Sequence, residues 1–157
     1  MSMTRAQIVT TAAGGSVLLL GGAFLFQIAG YPPCEMCLWQ RWPHAFAFVI
    51  GIAFLVIPNR LLALLALLGA LAAATTGLIG VYHAGVEQKW WNGPSTCTSG
   101  DISNLTPEQL LEQIMAAPLV RCDEIPWALA GISMAGWNAI ISLFLAGLWI
   151  VAARRSA

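Results

Sequence analysis

The sequence predicts an all-α integral membrane protein: a bundle of four transmembrane helices with a short amphipathic helix in its second outer loop. Of 157 residues, 59% are hydrophobic and 9% charged, against about 25% charged in an ordinary soluble domain, and the mean hydropathy is +0.77. The apolar residues also gather into four runs, approximately 8–29, 38–57, 61–83 and 127–153. Each is near the roughly 20 helical residues that cross about 30 Å of hydrocarbon. Residues 1–157 then form one transmembrane domain with outer loops near 30–37 and 84–126.

The basic residues orient the spans, because Lys and Arg in short flanking segments stay on the cytoplasmic side. Arg5 precedes span one, Arg60 lies between spans two and three, and Arg154 and Arg155 follow span four. With four crossings these places share one face, so both termini are expected to be cytoplasmic. The other face carries Arg41, Lys89 and Arg121 together with all the acids, Glu35, Glu87, Asp101, Glu108, Glu112, Asp123 and Glu124. The net charge of zero hides this separation, and nothing in it suggests a nucleic-acid partner.

Span one reads as scaffold, with Gly14, Gly15, Gly21 and Gly22 available for close helix packing. A cleavable signal peptide fits it poorly, since signal cores run only about 7–15 residues and no small-x-small pattern follows Gln27. The loop after it contains Tyr31-Pro-Pro-Cys34-Glu-Met-Cys37-Leu-Trp-Gln-Arg41-Trp-Pro-His44. Two cysteines three positions apart can close a disulfide, open it or bind metal, and all three uses draw on the thiolate. Pro32-Pro33 before them and the apolar run after them put the pair where a loop enters a helix, whose positive end favours a thiolate. With Arg41 one turn further on, Cys37 is expected to be the more readily ionised, reactive member. Pro43 implies a kink, or a helix that begins near Trp42.

Pro58-Asn59-Arg60 is so short that spans two and three must be antiparallel neighbours. Span three ends outside at Tyr82-His83. An ionisable ring there is either a site group or an interfacial histidine satisfied by headgroups or water, and His44 invites the same choice, with the second favoured. The loop 84–126 is longer than an ordinary connection. Within it Thr106-Pro107-Glu108-Gln109 spells a helix start, with Leu105 and Leu110 as a staple. Leu110, Leu111, Ile114 and Met115 share one face until Pro118. This is the amphipathic helix, expected on the membrane surface, with partner binding as the alternative. Trp39, Trp42, Trp90, Trp91 and Trp127 fit an outer aromatic belt, though Trp39 and Trp42 flank Arg41 and suit a flat aromatic cofactor. In span four, Ser133, Trp137, Asn138 and Ser142 suggest interhelical hydrogen bonds.

Cys97 and Cys122 lie in the loop after span three, so all four cysteines are expected on the outer, oxidising face, where two disulfides are permitted. A staple closing so few residues as Cys34 to Cys37 constrains little. One reactive pair at the surface and a second on a mobile loop are what two-electron thiol–disulfide exchange requires. No metal or flavin motif is apparent, which leaves a lipid-soluble quinone as the economical acceptor. Zinc held by the cysteines with His44 and His83, or two inert disulfides, are the competing readings.

Pro33-Cys34-x-x-Cys37-x-x-Gln40-Arg41, the later Cys97 and Cys122, and the four-span layout resemble the DsbB family of disulfide-bond formation proteins. A relative of the vitamin K epoxide reductases fits less well, because there the C-x-x-C lies near the end of the bundle. The resemblance implies a bacterial inner-membrane thiol oxidase with its cysteine loops in the periplasm. Such an enzyme reoxidises the thioredoxin-like protein DsbA and passes electrons to ubiquinone or menaquinone. It further implies that Cys97 takes the mixed disulfide with DsbA, that Cys122 resolves toward Cys34, and that Cys37 meets the quinone beside Arg41 with His83 near the pocket. No metal is expected, and the resting pairing stays open. Met36 replaces the commoner leucine, and the loop spacing leaves the register of Cys97 safer in role than in geometry.

Overall fold

The computed structural model describes residues 3–57, 59–98, 106–116 and 120–155. Its elements are α1 (Arg5–Ile28), α2 (Glu35–Val56), a 3-10 turn (Asn59–Leu61), α3 (Leu62–Glu87), α4 (Pro107–Ala116), β1 (Ala128–Leu129), β2 (Ile132–Ser133) and α5 (Met134–Arg154). The four long helices close a ring in which α3 packs on α5 and α2, and α1 packs on α2 and α5. Three of them, α1, α3 and α5, are long and apolar enough to cross a membrane. Helix α2 has the length, 22 residues, but its N-terminal half carries Gln40, Arg41 and His44.

Local chemistry sets the boundaries. Helix α1 opens with a reciprocal cap, Gln7 N–H donating to Thr4 Oγ1 at 3.2 Å and Thr4 N–H to Gln7 Oε1 at 2.8 Å. Helix α2 is capped by a sulfur: the Cys37 N–H donates to Cys34 Sγ at 3.3 Å. It runs continuously through Pro43, so it does not begin near Trp42. Helix α4 carries the anticipated capping box, with Gln109 N–H on Thr106 Oγ1 and Thr106 N–H on Gln109 Oε1. Leu111, Ile114 and Met115 stand exposed on it, while Leu105, Pro118 and Asp101 lie outside the described residues.

The fourth apolar run does not begin as helix. Residues Ala128–Ser133 form a hairpin pairing Ala128 with Ser133 and Leu129 with Ile132. Its two-residue turn places Ala130 at φ 52 and Gly131 at φ 78, the left-handed pair that matches strand twist. Ser133 then caps α5 by accepting from the Gly136 N–H at 3.1 Å, and the Trp137 indole N–H donates to Leu129 O at 3.1 Å. Helix α3 likewise continues past His83 to Glu87.

One apolar core, from Ile8, Val9 and Ala12 to Phe54, Ala66, Leu145 and Trp149, fills the end of the bundle that holds the termini. Outward-facing residues there are themselves apolar, among them Leu18, Leu25, Val49, Leu55, Leu71 and Phe144, as a lipid solvent requires. Close approach depends on Gly51 against Ala13 and Gly69 against Trp149. Of the span-one glycines only Gly15 meets a neighbour, Leu145, whereas Gly14, Gly21 and Gly22 face open space. Their packing role is therefore corrected. A second cluster, Cys34, Met36, Val86, Cys97 and Cys122, sits at the opposite end.

Candidate active site

All four cysteines meet in that second cluster. Cys97 and Cys122 are joined as a disulfide, and Cys34 and Cys37 are thiols whose sulfurs stand 2.9 Å apart. The turn that begins α2 creates this contact, because a capping residue and the third residue after it share one side of the first turn. In the arrangement seen, Cys34 S–H donates to Cys37 Sγ. This bond, and then burial, pushes the Cys34 thiol well above its ordinary range, so a single negative charge on the pair resides on Cys37.

The described ends of the loop that carries the second pair, around Cys97 and Cys122, are docked on the bundle. Cys97 is 1% exposed and Cys122 fully buried. The Cys122 N–H donates to Cys97 O at 2.6 Å, and Cys97 N–H to Pro94 O at 3.1 Å. Thr96 donates to Glu35 beside the first pair. Just past Cys122, Asp123 accepts from Arg121 Nε at 3.0 Å and Nη2 at 2.8 Å, and from Lys89 Nζ at 2.6 Å. Arg121, followed by Lys89, holds the Asp123 carboxyl well below the usual carboxylate range. Gly85 leaves room for the Trp91 ring, whose N–H donates to Tyr82 O at 2.8 Å.

His83, from the C-terminal end of α3, stands between the pairs. Its Nε2 lies 3.5 Å from Cys34 Sγ and 3.9 Å from Glu87 Oε1. Glu87 is buried in the last turn of α3 rather than in the outer loop, and Ser133 donates to it. The sulfurs of Cys34 and Cys37 and a nitrogen of His83 fall within 4.8 Å of one another, three ligand atoms where a closed zinc site takes four.

Beside the pair opens a cavity of about 580 Å³ bordered by Cys37, Arg41, His44, His83, Phe26 and Ile141 among others, within the size range of small-molecule sites. Arg41 lines it, but its guanidinium turns to α1, donating to Gln27 Oε1 at 2.7 Å and Ala23 O at 3.3 Å, over the Phe24 ring. It makes no hydrogen bond to Cys37 among the described residues. Two buried polar atoms of lining residues lack a hydrogen-bond partner there, Arg41 Nε and His44 Nδ1. Of the two, the Arg41 N–H suits an oxygen on a flat, mostly apolar ring. Trp39 and Trp42 are exposed and not among the lining residues, whereas Trp127 is one of them.

The sequence profile described as Disulfide bond formation protein DsbB matches residues 5–152. The chain belongs to the DsbB family. Its relatives include Disulfide bond formation protein B 2 of Pseudomonas aeruginosa, 31% identical over 150 residues, covering 91% of this chain and 85% of the relative. Disulfide bond formation protein B of Pasteurella multocida is 30% identical over 154 residues, covering 89% and 83%. That of Polaromonas is 26% identical over 166 residues, covering 96% and 92%. No solved structure matches the chain. As a DsbB-family protein it is a membrane protein of disulfide bond formation.

Sequence reasoning placed the cysteines, Arg41 and His83 in one region. It read Asn138 as an interhelical hydrogen-bonding group, as the structure has it, gave no site role to Glu87 or Gln27, and set His44 aside. Each is a polar group in an otherwise apolar helix, the one signal that marked them.

Proposed function

We propose that this DsbB-family protein is a quinone-dependent thiol oxidase of a bacterial inner membrane that reoxidises a periplasmic DsbA-like, thioredoxin-fold partner. The observation carrying this reading is the gathering of four sulfurs beside a largely apolar cavity at one end of the bundle. We read α2 as a fourth span, both termini as cytoplasmic and the cysteine end as periplasmic, with the exposed stripe of α4 resting on lipid.

A partner thiolate attacks Cys97 and breaks its bond to Cys122, giving a mixed disulfide that the partner's second thiol resolves. The Cys122 thiolate attacks Cys34 of a closed Cys34–Cys37 bond, and Cys97 then releases Cys34, so the first pair is left as two thiols. Ubiquinone or menaquinone, when bound, supplies a sink for the two electrons and two protons that the pair gives up on closing again. Cys37 holds the charge nearest the cavity, Arg41 and His44 offer polar atoms in its wall, and His83 bonds to the Cys34 sulfur. Direction follows from potential. A DsbA-type partner lies at about −120 mV, so only a more positive acceptor can draw electrons from it. Since Cys97 is buried, the loop lifts before the partner can reach it.

The test is purified protein mixed with reduced partner and a short-chain ubiquinone. Catalytic oxidation of the partner is expected, with Cys37→Ser abolishing quinone reduction and Cys97→Ser blocking exchange with the partner. Stoichiometric zinc with no quinone-dependent oxidation would instead favour a metal-binding role for Cys34, Cys37 and His83.

A further inference from the structure

A chain of amide and imidazole groups crosses the bundle below the sulfurs, and one backbone carbonyl sets the direction of every bond in it. Thr76 O can only accept, so the Asn138 nitrogen that reaches it at 3.3 Å must be Nδ2. The same Nδ2 donates to Gln40 Oε1 at 2.6 Å. Gln40 Nε2 is then the donor end, and it points to Met36 O at 3.1 Å and to His83 Nδ1 at 3.0 Å. Met36 O, a second obligatory acceptor, agrees with that orientation. A nitrogen that receives an N–H is bare, so neutral His83 carries its hydrogen on Nε2, the atom nearest Cys34. The other end of Asn138 obeys the same logic. Its Oδ1 accepts from Ser142 Oγ at 3.1 Å and faces His44 Nε2 at 2.8 Å, which leaves His44 Nδ1 bare, and that atom has no partner among the described residues.

We propose that Asn138 is a positioning residue which, through Gln40, holds His83 as the tautomer with hydrogen on Nε2, so that a neutral imidazole presents a donor to the Cys34 sulfur. Asn138 sits on α5 and hydrogen-bonds none of the four sulfurs among the described residues. His83 in this form steadies charge that develops on Cys34 as the pair opens or exchanges, and its Nε2 has no lone pair to take the Cys34 proton or to bind a metal. The significance for catalysis rests on the thiol-oxidase reading, but the tautomer does not.

The chain has two histidines, so 15N-histidine labelling of the full-length, reduced protein in lipid nanodiscs gives a simple spectrum. Both rings are expected to show a protonated Nε2 and a bare Nδ1. Asn138→Asp removes the donor to Gln40 and is expected to move His83 hydrogen to Nδ1. Gln40→Glu replaces the donor facing His83 by an acceptor, and moves His83 alone, leaving His44 as it was. Dithiol oxidation by a short-chain ubiquinone should fall about tenfold in both variants, the scale of one hydrogen bond to a charged group. A wild-type His83 protonated on Nδ1 overturns the proposal whether or not the variants fold. So does a tautomer unmoved in folded variants, or a rate within about twofold of wild type once the tautomer has moved. Absence of thiol oxidation in a wild type with the expected tautomer would count against the oxidase reading, not against the network.

Discussion

At the residue scale, the division of labour between the two neighbouring sulfurs follows from position. Cys34 is the cap and donates its S–H to Cys37, three residues on; both line the cavity, and Cys37 is the less buried of the two. Arg41 was expected to stabilise Cys37, and its charge does so at a distance, but two of its three nitrogens bond to α1 and its buried Nε has no partner among the described residues. That Nε–H is free to meet a bound quinone. We expect Arg41→Ala to raise the quinone KM by about tenfold, as loss of one charged hydrogen bond would, while leaving exchange between the cysteine pairs intact. Steady-state kinetics across quinone concentrations would show it, and an unchanged KM would take Arg41 out of the binding wall.

At the scale of elements, helix contacts depend on a few small residues at particular depths. A Cβ at Gly69 would lie 2.5 Å from the Trp149 ring, and Trp149 is fully buried with no room to move. Gly69→Ala is predicted to destabilise the protein by about 1–3 kcal/mol through overpacking. Gly14→Ala meets no atom within 4 Å and should stay within about 0.5 kcal/mol of wild type. Thermal unfolding of both variants in the same detergent separates them. Equal losses would mean that the α3–α5 contact is looser than described. The hairpin before α5 has a comparable role at the other end, since it delivers Ser133 both to cap the helix and to bond Glu87.

For the whole molecule, the ionic knot at Lys89, Arg121 and Asp123 governs how firmly the loop with Cys97 and Cys122 rests on the bundle. Asp123 is depressed in the folded state, so its contribution is complete above the unfolded carboxylate value of about 4 and is lost as pH falls below that through the folded one. Reduction of the Cys97–Cys122 bond by a water-soluble phosphine should accordingly quicken as pH drops below about 4. Asp123→Asn should be quicker at neutral pH as well. Reduction that is equally slow in Asp123→Asn would show that burial alone, without the knot, closes the loop.

Much of this was legible in the residues. Four apolar runs, the C-x-x-C at a helix entrance, the capping box at Thr106 and the later cysteine pair are local patterns, and local patterns survive without knowledge of neighbours. The hairpin at Ala128–Ser133 was hidden because its residues are as apolar as the helix that follows. The docked state of Cys97 and Cys122 was hidden because loop length signals freedom until tertiary contacts remove it. By itself the sequence determined the solvent, the long helices and the placement of the cysteine pairs, since these depend on composition and spacing along the chain. Only the tertiary structure decided that Asn138, Gln40 and His83 form one line to Cys34, because hydrogen-bond direction is set by groups 36 to 98 residues apart that meet when the helices pack.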